Sequence, residues 1–126
     1  MGQLKNTLSK EERLHSKNDI NKLLAEGKFG SATTLKYCFR TANGLSYNRI
    51  LVSVPKRLFK RAVKRNLLKR RLRECYRLQK QTPGLEQGVD IMFIYNTKTV
   101  LPFAEIYNTV GQILTKISDS NEERKN

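Results

Sequence analysis

The 126-residue chain has no tryptophan, one histidine, two cysteines, three prolines and only 11 acidic residues. Each scarcity removes a class of function. His15 stands alone, with no evident partner for an acid–base pair. Cys38 and Cys75 together with that histidine fall short of the four ligands of a structural zinc site, and they read as small core residues of a reducing compartment. Of the acids, Glu11, Glu12, Glu122 and Glu123 lie near the ends. Asp19, Glu26, Glu74, Glu86, Asp90 and Glu105 make no D-x-D or E-x-x-H pair, so the clustered carboxylates of a metal-dependent nuclease are not evident. The seven glycines are scattered, which leaves no phosphate-cradling loop. No stretch approaches the ~18 apolar residues of a membrane span. The opening MGQLKNTLSK lacks the apolar segment of a secretory signal, so the expected location is the cytoplasm.

Positive charge is what the chain has in excess. Its 25 lysines and arginines give a net charge of +14, and the hydrophobic content of 38% suits one modest core. Self-repulsion at that charge calls for a polyanionic partner, nucleic acid first and an anionic membrane surface second. Twelve of the basic residues fall between Lys56 and Lys80, against a single acid, Glu74. Within that stretch Leu68, Leu72 and Tyr76 recur at helical spacing with Cys75 beside them. Arg61, Arg65, Lys69, Arg73 and Arg77 recur on a neighbouring stripe flanked by Asn66 and Arg70. An interfacial membrane helix needs a broader apolar face than this one. A solvated face normally mixes charge signs, and this one does not. A helix anchored on one stripe and lined with guanidinium groups on the next is suited to docking on phosphates.

Around this helix the periodicity predicts a small single-domain α+β sandwich, with helices packed on one sheet. Ser16 with Asp19 caps a first helix at about 17–26, ended by Gly27, and Ser9 with Glu12 forms a second capping signal. Phe29 to Ala32 is a candidate short strand. Leu35, Tyr37 and Phe39 alternate with Lys36, Cys38 and Arg40 as a half-buried strand, and Asn43-Gly44 reads as a hairpin turn into a strand at about 47–54. Pro55 ends that hairpin and the basic helix follows at about 58–80. Val89 to Tyr95 is apolar on both faces, as a central strand is. Pro102 opens a closing helix that buries Phe103, Ile106, Tyr107, Val110, Ile113, Leu114 and Ile117. The expected domain is 16–118, between a flexible lead-in, 1–15, and a disordered tail, 119–126. If the strands flanking the basic helix are parallel neighbours, the general rule for the crossover is right-handed.

The run Ala62-Val63-Lys64-Arg65-Asn66-Leu67-Leu68-Lys69-Arg70-Arg71-Leu72-Arg73-Glu74 closely resembles the signature helix of the bacterial ribonuclease P protein component. Six polar and two small apolar positions of that signature match at fixed spacing. Leu14 to Gly27, Arg49 to Lys56 and Asp90 to Tyr95 resemble further segments of the family. The resemblance implies an α-β-β-β-α-β-α sandwich (ribosomal protein S5 domain 2-like) whose crossover through the signature helix is left-handed, against the general rule. It implies a protein subunit that binds a large catalytic RNA and the 5′ leader of precursor tRNA. In that family the RNA and its Mg2+ ions perform the hydrolysis, and no dedicated protein site holds the metal. No membrane and no small-molecule substrate is implied.

Carried over by position, Arg65, Asn66, Lys69, Arg70 and Arg73 match the family's RNA-facing residues, and Lys56 matches a basic site after the strand. Helical geometry adds Arg61 and Lys64. The family's second arginine after Asn is Leu67 here, and its glycine before Ala-Val is replaced within Leu58-Phe59-Lys60-Arg61. Aromatic residues that line the family's leader cleft from the first helix appear as Ile20 and Leu24. Tyr37 and Phe39 are candidates to complete that cleft from the sheet, the alternative being that both are core. Three other readings stand beside this one. A small basic ribosomal protein shares the size, charge and build. A protein-only nuclease is opposed by the sparse carboxylates. A helix-turn-helix DNA binder is opposed by the lack of a short helix before the basic one.

Overall fold

A computed structural model describes residues 8–125. A turn of helix at Lys10–Glu12 precedes α1 (Lys17–Glu26), β1 (Lys28–Ala32), β2 (Leu35–Arg40), β3 (Arg49–Ser53), α2 (Ala62–Gln79), β4 (Asp90–Tyr95) and α3 (Phe103–Lys125). The strands form one mixed sheet in the order β1-β2-β4-β3. β1 pairs with β2 and β2 with β4 antiparallel, while β3 pairs with β4 parallel, so α2 is the crossover between two parallel neighbours.

The Asn43-Gly44 turn does not join a hairpin. β4 lies between the two strands it was expected to connect. The reason is the amphiphobic character of β4. Ile91, Phe93 and Tyr95 face one side and Met92 and Ile94 the other, and a strand apolar on both faces is best covered in the middle of a sheet. Gly44 still turns with φ +86°. Asn43 anchors the loop by donating from Nδ2 to Asp90 Oδ1 at 2.8 Å, and its Oδ1 accepts from Leu45 N at 2.8 Å. The true hairpin is β1–β2, turning at Thr33 and Thr34.

The sheet separates two apolar layers. On one face Leu35, Tyr37, Phe39, Ile50, Val52, Ile91, Phe93 and Tyr95 pack against α2 and α3. On the other, Cys38 joins Leu14 and Leu23 beneath α1, with Ile20, Leu51 and Met92 around them. Leu14 belongs to the expected flexible lead-in, yet it is 2% exposed and its N–H donates to Ile50 O at 2.7 Å. One buried leucine and one backbone bridge from Arg13 to Ile50 bring residues 13 and 14 into the fold. Residues 1–7 of that lead-in lie outside the described residues. The expected disordered tail is helical through Lys125, because no Gly or Pro after Gly111 stops α3 and its final turn is Glu-Glu-Arg-Lys.

Candidate nucleic-acid interface

α2 is fixed by its apolar stripe. Leu68, Leu72, Cys75 and Tyr76 are all buried, and the Tyr76 ring lies 6.1 Å from that of Phe93 in the sheet. Burying this stripe turns the neighbouring ones outward. Arg61, Lys64, Asn66 and Arg70 are exposed, while Arg65, Lys69 and Arg73 are half-buried. Arg61, Lys64, Lys69, Arg70 and Arg73 make no ion pair among the described residues. The helix therefore displays cations whose counter-charge the described residues do not supply.

The helix begins at Ala62, later than the periodicity placed it. The cause is the preceding turn. Leu58 N donates to Pro55 O at 3.0 Å, and Phe59 is drawn into the core edge-on to Tyr95, with centroids 5.7 Å apart. Arg65 reaches back and donates from Nη1 to Phe59 O and Lys60 O, each at 2.8 Å. The turn places Lys56, Arg57 and Lys60, all exposed, beside the start of the cation row. Arg57 and Lys60 were not among the expected residues, and the signal for them was their position on either side of the buried Phe59.

Other basic residues of α2 have structural work. Arg71 Nη1 donates to Leu101 O at 2.6 Å on the α3 side. Arg77 Nε donates to Glu74 Oε1 at 3.0 Å, which holds the Glu74 carboxyl below its ordinary range. Lys80 Nζ donates to Glu12 at 2.9 and 3.1 Å. Arg13 was not among the expected site residues. It faces Arg73 from the strand-like residue before Leu14, and burial together with the Arg13 charge lowers the Arg73 pKa.

The second part of the expected site, the leader cleft, is only half assembled. Ile20 packs on the layer beneath α1, and Leu24 is 43% exposed beside it. Tyr37 and Phe39 are on the opposite face of the sheet, 8% and 6% exposed in the core under α2 and α3. They cannot share a cleft with α1. The alternation along β2 decides this. The apolar members of the strand turn to the larger core, and Lys36 and Cys38 face α1. By register the α1 face carries Phe29, opposite Cys38, and then Met92 and Leu51 in the same row. Phe29 is 62% exposed and takes the place foreseen for the two aromatics. Among the described residues no group of three or more His, Cys, Asp or Glu side chains is placed to hold a metal ion.

The family model for ribonuclease P matches residues 8–118. This chain belongs to the ribonuclease P protein family. A ribonuclease P protein component from Porphyromonas gingivalis is 45% identical over 75 residues, a stretch that covers 58% of this chain and 55% of that relative. The chain thus matches little more than half the length of that relative. The component from Thermotoga maritima is 34% identical over 100 residues, covering 79% of this chain and 82% of the relative. The solved Thermotoga maritima RNase P protein superposes with a TM-score of 0.71 at 28% identity, over 84% of this chain and 97% of that one. The Staphylococcus aureus RNase P protein shares the fold, with a TM-score of 0.71 at 22% identity over 82% and 93% of the two chains. The four-stranded mixed sheet and three helices are therefore the architecture of this family.

Proposed function

We propose that this protein is the RNA-binding subunit of a ribonuclease P. It docks the cation row of α2 on a catalytic RNA and guides the 5′ leader of precursor tRNA along the α1 face of the sheet. The carrying observation is the flank itself: Lys69, Arg73 and Arg70 beside the buried stripe of an anchored helix, with Arg61 at its N-cap and Lys64 on the other side of the stripe, all without carboxylate partners among the described residues. Arginine suits this work because its fork bonds phosphate bidentately and its plane stacks on bases. Each phosphate neutralised also releases condensed counterions, which makes the binding steeply salt-dependent.

In this reading the RNA subunit performs the phosphodiester hydrolysis, and Mg2+ is held by that RNA and the substrate. The protein's residues bind and orient. Lys56, Arg57 and Lys60 continue the phosphate track past the start of α2, and Ile20, Leu24 and Phe29 offer apolar contact to unstacked leader bases. No helix among the described residues is long and apolar enough to cross a membrane, and the working location in this reading is the cytoplasm.

The test is cleavage of a precursor tRNA at low Mg2+ with protein alone, cognate catalytic RNA alone, and both together. Cleavage at the mature 5′ end only with both is the expected result. Unchanged RNA-alone activity on adding protein overturns the reading and favours a ribosomal role, which the presence of the chain in purified ribosomes would then check.

A further inference from the structure

Two of the acids around the lead-in turn, Glu12 and Glu74, are already engaged, while Glu11 is exposed on the turn. Glu12 accepts from Lys80 Nζ at 2.9 and 3.1 Å and from Ser9 N at 2.9 Å. Glu74 accepts from Arg77 Nε at 3.0 Å. Between these two neutralised carboxylates stand Arg13 and Arg73, which make no ion pair among the described residues. Both line a groove with Leu8, Arg70, Glu74 and Arg77, and both line the adjoining groove that continues past His15 and Ile20. They form the ridge between the two.

The backbone holds this arrangement. Arg13 is bridged to Ile50 at the edge of β3, and Leu14 next to it is buried. Arg73 follows the buried Leu72 on α2. Neither element can swing away without giving up its core contact. Burial and the charge of Arg13 both disfavour the charged form of Arg73. Two like charges held together, the exposed Arg13 beside the half-buried Arg73, are relieved by an anion between them.

We propose that Arg13 and Arg73 form a two-guanidinium clamp for a single RNA backbone phosphate, where the RNA passes from the α2 row over the lead-in turn toward α1. The proposal rests on the RNA-binding reading above and adds Arg13 to it. The ligand class is a phosphodiester, which either the catalytic RNA or the precursor leader could present.

The experiment uses the full chain with Arg13→Gln, Arg73→Gln and the double substitution. One arm measures binding to the cognate catalytic RNA across a salt series. The other measures binding of the reconstituted holoenzyme to precursor tRNA with a long or a one-nucleotide leader. Each single substitution is expected to weaken one arm by about tenfold, the loss typical of one charged hydrogen-bonded contact. The salt slope in that arm should fall by about one. The double variant should lose little more than either single, because a shared phosphate can be lost only once.

A loss with the catalytic RNA assigns the phosphate to it, and a loss confined to long leaders assigns it to the leader. Both outcomes uphold the clamp. Arg13→Lys keeps the charge and should recover most of the salt slope, which a purely structural Arg13 would not do. Should Arg73→Gln fail to fold, the two Arg13 variants decide alone. Additive losses in the double variant, or Arg13→Gln binding as wild type in both arms, overturn the clamp. Wild-type protein that binds neither RNA overturns the RNA-binding reading itself, a result distinct from an intact wild type with an unaffected Arg13→Gln.

Discussion

Arg65 Nη1 lies 2.8 Å from the carbonyl oxygen of Phe59 and 2.8 Å from that of Lys60. A residue matched to an RNA-facing position thus also ties the start of α2 to the turn before it. Its other guanidinium nitrogens remain for phosphate. Arg65→Ala is expected to lower stability by about 1–2 kcal/mol, the lower range for charge-assisted hydrogen bonds near a surface, and to weaken RNA binding as well. Lys56→Ala, with no such bonds, should weaken binding alone. Urea unfolding and RNA titration on the two variants separate the effects. Equal stability of both variants would show that the turn does not depend on Arg65.

Asp90 is fully buried and receives Arg49 through Nε at 2.9 Å and Nη2 at 2.8 Å, and Asn43 Nδ2 at 2.8 Å. Arg49 also reaches Asp19 Oδ2 on α1 at 2.9 Å. One carboxylate therefore joins β3, β4, α1 and the Asn43 loop. Asp90→Ala removes three hydrogen bonds, leaves Arg49 only Asp19 and Asn43 Nδ2 only Tyr47 O, and is expected to cost about 3–5 kcal/mol. Chemical denaturation measures this directly. A loss under about 1 kcal/mol would mean that water replaces the carboxylate and the hub is not structural.

This hub marks where the sequence stopped being legible. Helices and strands were readable because each has its own period: Leu68, Leu72 and Tyr76 for α2, Leu35, Tyr37 and Phe39 for β2. The central place of β4 was foreseen from the apolar run through Val89 to Tyr95, while its parallel pairing with β3 stood only as a condition for the crossover. The Asn43-Gly44 signal misled, because a local turn preference says nothing about which strand fills the central slot. Tyr37 and Phe39 were open to either face on type alone, and the alternation that made β2 a strand also placed them in the core. Arg13 carried no local signal. Only the packing of Leu14 against Leu23 and Cys38 brings it opposite Arg73.

Gly27 ends α1 with φ −77°, a conformation open to any residue. What requires glycine there is space. A Cβ would stand 2.5 Å from Leu23 O, 2.6 Å from Cys38 Sγ and 3.0 Å from Phe39 O. Two of these atoms are backbone and cannot yield without moving α1 off β2. Gly27→Ala is expected to destabilise by about 1–3 kcal/mol, the usual range for overpacking. A melting temperature equal to wild type would show that the helix end shifts freely.

Cys38 and Cys75 are free thiols buried in different layers, one beneath α1 and one in the larger core where α2 meets the start of α3. Burial raises the first from 9.0 to about 11 and the second from 9.0 to about 12. A thiol raised in the folded state leaves the unfolded chain to ionise first. Its stability contribution is therefore intact below about pH 9 and lost as pH rises toward 11. Native protein at pH 8 is expected to resist a thiol reagent and to react fully once unfolded. Rapid reaction of either cysteine under native conditions would overturn this placement.

Phe29 and Tyr37 sit one register position apart in the β1–β2 pair and therefore on opposite faces of the sheet. Tyr37 is 8% exposed against the α2 and α3 layer, while Phe29 is 62% exposed on the α1 face. Substituting each should separate folding from function. Tyr37→Ala removes a buried ring and is expected to cost about 3–4 kcal/mol of stability, as large-to-small core changes do. Phe29→Ala removes little buried area and should leave stability within about 0.5 kcal/mol. If leader bases stack on the α1 face, Phe29→Ala should weaken holoenzyme binding of a long-leader precursor by about 1–3 kcal/mol and leave a one-nucleotide leader unaffected. The leader-length dependence is the deciding readout, because a general folding defect would weaken both substrates alike. Equal binding of the long leader by Phe29→Ala and wild type would remove Phe29 from the leader path.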